Sequence, residues 1–337
     1  MTSVTELAAG SERAAVETDS RRPRGTTEPP NGGTAPPTPR RTRRSLTPLW
    51  LLTPAGIVVI ALILIPIGFL LFTSFTNFDQ RSLFTGAFDW TGITEYTSIF
   101  TNVDFWWSLL RTVLFTAAMV AGSVVIGMGV AQLLTRLGTA MKYIVTVVLI
   151  LAWAMPNVAS AQVWKWLFQP GYGVINWLLT QTHLFGNVLN VNWPQDTSLA
   201  FFCIWLLVVW QAVPFIALTL YAAQSQVSQE YVEAARLDGA NEWRVYWNVT
   251  IPFLRPTLML MIILSVIWDF NVFNQIWLVS QGGPNDATMT LGIYTYVNAF
   301  VSFDLGNGSA IAIVTTVILG LLSAFYVRSL LRSGEDL

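Results

Sequence analysis

The chain has 337 residues, of which 53% are hydrophobic and only 11% are charged, and its formal net charge is −1. Soluble domains are about 25% charged, and apolar stretches of about 20 residues recur here, so the composition excludes a soluble globular protein and indicates a polytopic membrane protein. The single cysteine and the single histidine exclude a disulfide framework and a histidine metal cluster.

The two ends of the chain differ from the rest in composition. Residues 1–47 are rich in Thr, Pro, Gly, Arg and Glu and nearly lack large apolar residues, which predicts a disordered tail. Four arginines within residues 40–44 precede the first apolar stretch and place this tail in the cytoplasm by the positive-inside rule. Residues 48–333 are predicted to form the transmembrane domain, and residues 334–337 are predicted to form a short cytoplasmic tail.

Six apolar stretches are each long enough to cross the hydrocarbon as a helix. Because the backbone must be satisfied internally in lipid, they predict an all-α integral membrane fold with six transmembrane helices. The predicted spans are residues 49–75, 109–134, 143–168, 199–223, 257–279 and 310–331. Three of the spans contain an interior proline that is expected to kink the helix. These prolines are Pro66, Pro156 and Pro214.

The lysines and arginines are distributed unevenly across the predicted membrane. If both termini are cytoplasmic, only Arg81, Arg111 and Lys165 lie in outer loops or at outer ends of spans, and the other fifteen of the 18 lie inside. The positive-inside rule therefore predicts cytoplasmic termini and a cytoplasmic location for the polar residues 228–252. The predicted outer loops are residues 76–108, 169–198 and 280–309.

Residues 228–252 form the one long polar, helix-prone segment between two apolar spans. Ser228 is a candidate N-cap for a helix, and Gly239 is expected to break or bend that helix. A second helical piece is predicted at residues 241–248, leading to Pro252. Small residues and a glycine turn would let another protein approach the backbone closely.

The spacing within this segment is specific. From Glu233 the chain reads EAA, three residues, Gly239, nine residues and then VTIP. This pattern resembles the EAA motif of type I ABC importer permeases, EAA-x3-G-x9-I-x-L-P, with Val249 in place of isoleucine and Ile251 in place of leucine. The motif also lies where that family has it, on the cytoplasmic side before the penultimate span.

A second feature strengthens the resemblance. After the fifth predicted span the chain reads Gly282-Gly283-Pro284, similar to the GGP of sugar permeases. The resemblance covers roughly residues 49–332 and points to the carbohydrate-uptake subfamily, in particular its maltose-type first permease subunit.

The resemblance implies a set of partners. It implies that residues 230–248 form a coupling helix seated in a cleft of an ATPase subunit, that a second permease chain completes the pathway, and that an extracellular solute-binding protein delivers the cargo. The two ATPase subunits would bind ATP and Mg²⁺, so this chain would be no enzyme and would bind no cofactor. The chain is expected to lie in the bacterial plasma membrane, in contact with membrane lipid and without a nucleic-acid partner. The residues expected to couple to the ATPase are Glu233, Ala234, Ala235, Asp238 and Gly239.

Asp269 is the one acidic residue deep in a predicted span. An aspartate at the bilayer centre costs about 2.5–3.5 kcal/mol on insertion scales, so it is expected to face the bundle interior or a water-filled cavity. Helical spacing places Ser265, Trp268 and Val272 on the same face, and amides lie nearby at Asn271, Asn274 and Gln275. Carboxylate, amide and indole groups together suit a sugar, which needs hydrogen bonds and a flat apolar surface.

The resemblance to maltose-type permeases implies the same four residues as substrate contacts. Aligned on Pro214, it adds four residues of the fourth span: Val208, Gln211, Ala212 and Phe215. Val208 and Val272 stand where that relative has amides, and Asp269 replaces another amide, so the substrate is expected to be recognised differently.

Three alternatives remain at this point. A glycerol-phosphate-type permease of the same family would favour basic residues in the cavity, and the spans have none beyond Arg111 and Lys165 near their outer ends. An ion-coupled secondary transporter would use Asp269, but such proteins generally need several membrane carboxylates or unwound ion sites. Asp269 would otherwise be structural and pair only with a neighbouring helix.

Overall fold

The described part of the chain is built from helices and the loops between them. The computed structural model describes residues 47–332, and the side chains of residues 51–328. The predicted tails therefore lie outside the described residues, except for Thr47, which begins a helix. Among the described residues, 55–332 belong to one structural unit and 47–54 belong to a separate one.

Among the described residues, five helices are long and apolar enough to cross a membrane, and a bent pair of helices gives a sixth span if the pair is counted as one. The predicted all-α membrane fold is confirmed, with five or six candidate spans. Numbered in chain order, spans 1, 2, 4, 5 and 6 are Leu51–Thr73, Val103–Arg136, Thr197–Gln224, Glu242–Phe270 and Leu305–Arg328. Span 3 is the bent pair Thr139–Trp153 and Asn157–Leu167.

Shorter helices lie between the spans. Those outside the polar segment lie in the connections that were expected to be outer loops, except Asn274–Val279, which lies within the predicted fifth span. Their bounds are Gln80–Thr85, Thr94–Thr101, Val174–Gln181, Asn274–Val279 and Leu291–Tyr296, the last continued by the π-helical Val297–Val301. The polar segment contributes the helix Gln229–Leu237.

The kink predicted at Pro156 is a complete break of the helix at residues 154–156. The two halves of span 3 meet at an angle of 100°. Proline has no N–H to donate and disfavours the helical conformation of the residue before it, so the first half ends at Trp153 and the second begins after Pro156. Pro214, in contrast, lies inside span 4 without ending its helix.

The predicted bounds of span 5, residues 257–279, are wrong at both ends. The span begins at Glu242, since the piece predicted at residues 241–248 continues through a π-helical turn into Ile251–Phe270. Pro252 directly follows that π-helical turn, and such a local π-helical adjustment lets a membrane helix continue past a proline. At the C-terminal end the helix stops at Phe270, and residues 274–279 form a separate helix.

Glycines bring the helices into close contact, as is common in membrane proteins. A Cβ atom on Gly122 of span 2 would lie 2.5 Å from Cζ2 of Trp205 in span 4. One on Gly127 would lie 2.6 Å from Cγ2 of Ile216, also in span 4. Spans 2 and 4 are therefore packed along their lengths, and this pair carries much of the buried core.

Span 6 makes a similar contact near its outer end. A Cβ on Gly308 would lie 2.5 Å from Cβ and 2.8 Å from Cα of Ala299. The N–H of Gly306 donates to the carbonyl of Phe78 at 2.8 Å, and Oγ1 of Thr73 donates to Oγ of Ser309 at 2.9 Å. These contacts attach the start of span 6 to the end of span 1.

We predict that Gly308→Ala lowers the stability of the protein, because the methyl group would press on backbone atoms of Ala299 and overpacking costs about 1–3 kcal/mol. Gly320→Ala on the same helix is the matched control, since a Cβ there meets nothing within 4 Å. Cys203 is the single cysteine and is buried, so its alkylation during heating reports unfolding. Alkylation midpoints that are equal for the two variants would contradict this packing.

Candidate substrate cavity and coupling segment

A cavity of about 440 Å³ lies where the break in span 3, the middle of span 4 and the C-terminal end of span 5 meet. Its walls are mainly aromatic rings and amides, with one carboxylate. They are Trp153, Asn157, Val208, Gln211, Ala212, Phe215, Trp268, Asp269, Asn271, Val272, Phe273, Asn274 and Gln275.

The side-chain amide of Gln211 connects three parts of the cavity wall. Its Nε2 donates to the carbonyl of Met155 at 3.0 Å and to Oδ1 of Asn157 at 2.8 Å, on the two sides of Pro156. Its Oε1 accepts from Nε2 of Gln275 at 3.2 Å. Gln211 therefore satisfies polar groups freed by the break in span 3 and ties that break to the segment that follows span 5.

Three aromatic rings form an apolar wall. Trp153 and Phe215 stack with centroids 5.6 Å apart and an interplanar angle of 19°. Phe215 also meets Trp268 at 5.5 Å. Trp268 is 50% exposed in this chain, so its indole offers a flat surface on which the C–H face of a sugar ring can stack.

Asp269 supplies the one carboxylate of the cavity. The residue is only 6% exposed, and its Oδ2 has no hydrogen-bond partner. It takes part in none of the salt bridges found between described residues, all of which involve Glu242. The carboxylate of Asp269 thus has no side-chain partner among the described residues, and its Oδ2 is buried without a hydrogen bond.

Seven of the eight predicted pathway residues line this cavity. Ser265 is the exception, since it is buried on span 5 and does not reach the cavity. Val272 reaches it although the helix has already ended at Phe270, because the N–H of Val272 turns back to the carbonyl of Asp269.

The sequence analysis missed the contribution of span 3. Trp153 and Asn157 flank the break and line the cavity. The available signal was Pro156 followed directly by an amide, which marks a point where the backbone leaves the helix and polar groups are needed. Phe273 was also missed, although the amides around it were recognised as neighbours of Asp269.

The polar segment has the capped helix and glycine turn that were predicted. Oγ of Ser228 accepts from the N–H of Glu230 at 3.3 Å at the start of the helix. Gly239 has a φ of +80°, a left-handed conformation that strains other residues. Oδ1 of Asn241 then accepts from the N–H of Arg244 and caps the start of span 5.

A salt bridge closes the turn between the short helix and span 5. Nη2 of Arg236 lies 2.9 Å from Oε1 of Glu242, and Nη2 of Arg136, at the end of span 2, lies 3.8 Å from Oε2. All three side chains are about half exposed, so each pair contributes at most about 1 kcal/mol. Their effect is geometric, since they hold the helix Gln229–Leu237 against the first turn of span 5.

The predicted coupling residues lie on the surface. Glu233, Ala234, Asp238 and Gly239 are exposed, and Ala235 is half-buried. A pocket with a volume of about 490 Å³ lies between the helix Gln229–Leu237 and span 5. It is lined by Val227, Tyr231, Ala234, Ala235, Asp238, Asn248, Val249 and Phe253. The small side chains of Ala234 and Ala235 leave room for a side chain from another protein.

Permease proteins from several organisms are similar in sequence to this chain. The Streptomyces coelicolor diacetylchitobiose uptake system permease protein DasB is 38% identical over 90% of this chain and 93% of its own length. The sulfoquinovosyl glycerol transport permease SmoG of Agrobacterium fabrum is 31% identical over 82% of this chain and 88% of its own length. The trehalose/maltose transport permease MalF of Thermococcus litoralis is 30% identical over 82% of this chain and 91% of its own length.

The fold and the family model agree with these relatives. A solved bacterial ABC transporter for the import of alginate matches 85% of this chain and 97% of its own, with a TM-score of 0.72 and 17% identity, which concerns the fold alone. Residues 123–334 match the family model described as a binding-protein-dependent transport system inner membrane component. The chain therefore belongs to the family of binding-protein-dependent transport system inner membrane components, the permease subunits of ABC transporters.

Proposed function

We propose that this chain forms one half of the translocation pathway of an ATP-driven importer for a neutral di- or oligosaccharide. The observation that carries the proposal is the cavity at the break of span 3, whose lining combines the carboxylate residue Asp269 and several amides with an aromatic wall. Hydroxyl groups need such donors and acceptors, and a pyranose ring stacks on indole. The relatives named for diacetylchitobiose and for trehalose/maltose support a sugar as cargo.

A neutral cargo fits the charges of the cavity. Its lining contains one acidic side chain and no basic one, so a phosphate or carboxylate on the cargo would meet repulsion and find no cation. This disfavours a glycerol phosphate in this half of the pathway. A single carboxylate also fits poorly with ion-coupled transport, which generally relies on several membrane carboxylates or unwound ion sites, and the coupling segment would then have no role.

The proposed mechanism is alternating access. A second permease chain would cover the open side of the cavity, and a binding protein would dock on the outer loops and release the sugar. The termini would lie in the cytoplasm of a bacterial cell. Acidic residues on the outer surface would offer part of the docking site. They are Asp79, Asp89, Asp104, Asp286 and Asp304.

The structure suggests how movement would pass from the ATPase to the cavity. Residues 230–248 would sit in a cleft of an ATPase subunit, with Glu233 paired to a basic residue there. Glu242 links this segment to span 5, which continues for 27 residues, about 40 Å, to Asp269. A shift of the coupling helix would therefore move Asp269 and Trp268 relative to span 4. ATP and Mg²⁺ would be bound by the ATPase subunits, and this chain would need no cofactor.

We expect Asp269→Asn to reduce uptake about tenfold or more at unchanged protein level, because a hydrogen bond to a charged group contributes about 1.5–3 kcal/mol. Ser265→Ala is the matched control, since Ser265 is equally buried on span 5 but lies outside the cavity. Initial uptake rates across sugar concentrations measure both variants. Unchanged rates and affinity for Asp269→Asn would make the carboxylate structural.

Glu233→Lys and Gly239→Asp are predicted to uncouple ATP hydrolysis from transport while the protein still inserts. The first reverses the charge offered to the ATPase, and the second forces a side chain into a left-handed turn. Glu230→Lys is the control, one turn earlier on the same helix and also exposed. Measuring ATP hydrolysed per sugar moved separates the variants, and normal coupling in Glu233→Lys would count against the assignment.

The composition of the complex tests the whole proposal. A tagged chain purified from native membranes should carry with it a second six-span permease, a P-loop ATPase and a solute-binding protein, identified by mass spectrometry. Recovery of the chain alone, combined with solute movement that needs no ATP, would contradict the proposal and turn attention to Asp269 as an ion site.

A further inference from the structure

A second cavity lies on the side of the bundle formed by spans 2 and 4, near their outer ends, and has a volume of about 650 Å³. We call it the outer groove. It is formed chiefly by Arg111, Leu114 and Ala118 of span 2 and by Phe201, Phe202 and Trp205 of span 4. Arg111 is therefore a single cationic side chain in a groove whose other lining residues are apolar.

Arg111 has no partner among the residues that the structure describes. It forms no salt bridge and no side-chain hydrogen bond with any of them, although it is half-buried. A guanidinium within a membrane span is costly unless it reaches the interface or meets an anion. The lining of the outer groove includes no acidic residue, so no described residue supplies an anion to Arg111 there.

The depth of Arg111 suits a lipid headgroup. Trp106 and Trp107 are about half exposed and have the position expected of an interfacial aromatic belt. Arg111 lies four to five residues further along span 2, about 6–7 Å deeper, and a long side chain can extend back to the phosphate level. From Arg111 to Ala118 the groove runs about 10 Å further into the hydrocarbon.

In the inner part of the groove the side chains of span 4 pack directly against span 2. Nε1 of Trp205 donates to the carbonyl of Ala118 at 2.9 Å, and the same ring packs on Gly122. Phe115 and Phe201 meet edge-to-face with centroids 5.0 Å apart. The outer groove has a cation at one end and apolar walls along the rest of its length, which matches an amphiphile with an anionic head and a hydrocarbon chain.

We propose that the outer groove is a binding site for an anionic phospholipid, whose phosphate pairs with Arg111 and whose acyl chain lies along Leu114, Ala118 and Trp205. Assignment to the outer leaflet rests on the orientation proposed above, whereas lipid binding itself depends neither on that orientation nor on the identity of the transported sugar.

Native mass spectrometry of the purified transporter complex, titrated with phosphatidylglycerol or phosphatidylcholine of equal chain length, tests the charge. We expect the wild-type complex to retain phosphatidylglycerol preferentially. Arg111→Gln should weaken that retention about tenfold, the loss expected for one charge-assisted hydrogen bond. Lys165→Gln is the matched control, as Lys165 is another cation near an outer end and does not line the groove.

A second pair of variants tests the channel while leaving the charge in place. Ala118→Phe should fill the groove and reduce retention, whereas Ala117→Phe places the same ring on an exposed neighbour outside the groove and should not. Equal phosphatidylglycerol retention by wild type, Arg111→Gln and Ala118→Phe would overturn the proposal. A photocrosslinker at position 114 that captures a protein instead of a lipid in native membranes would also overturn it.

Discussion

The amide of Gln211 is the interaction on which the shape of the membrane domain depends. A helix that breaks within a bilayer leaves carbonyl groups that water cannot reach, so the protein must satisfy them itself. Gln211 does so at Met155 and, in addition, holds Asn157 and receives Gln275. A single side chain on span 4 thus fixes the break in span 3 and the segment after span 5, and the space left between these three elements is the substrate cavity.

Span 5 connects this cavity to the opposite surface. Its first residue, Glu242, is tied to the short helix by Arg236, and its last turn carries Trp268 and Asp269. The salt bridge is exposed and weak, but the helix behind it is continuous. Rigid secondary structure therefore provides the connection between the proposed ATPase contact and the proposed sugar contact, and neither end needs a strong interaction of its own.

The sequence predicted those features that depend on local chemistry. Hydropathy located the six crossings, and the cap at Ser228 and the turn at Gly239 followed from the preferences of single residues. The cavity residues of span 4 came from the resemblance to maltose-type permeases, aligned on Pro214, and not from periodicity. Asp269 could be assigned to a cavity because a membrane carboxylate has few other stable locations.

The features that were missed depend on contacts between distant residues. Pro156 and Pro214 give the same local signal, yet only Pro156 breaks its helix. At that break Nε2 of Gln211 donates a hydrogen bond to the carbonyl of Met155. Pro252 suggested a boundary but lies within span 5, directly after a π-helical turn that lets the helix continue. The early end of span 5 at Phe270 places the amides of the next turn in the cavity, a result of packing that hydropathy cannot reveal.

The central claim is that ATP hydrolysis, and not an ion gradient, drives a neutral sugar past Asp269. The most direct measurement is sugar uptake by the complete complex reconstituted in proteoliposomes, with and without internal ATP and with an ionophore present. A panel of sugars that begins with diacetylchitobiose would serve as cargo. The account predicts uptake that requires ATP and continues when the ionophore removes all ion gradients. Uptake that proceeds without ATP and stops with the ionophore would contradict it.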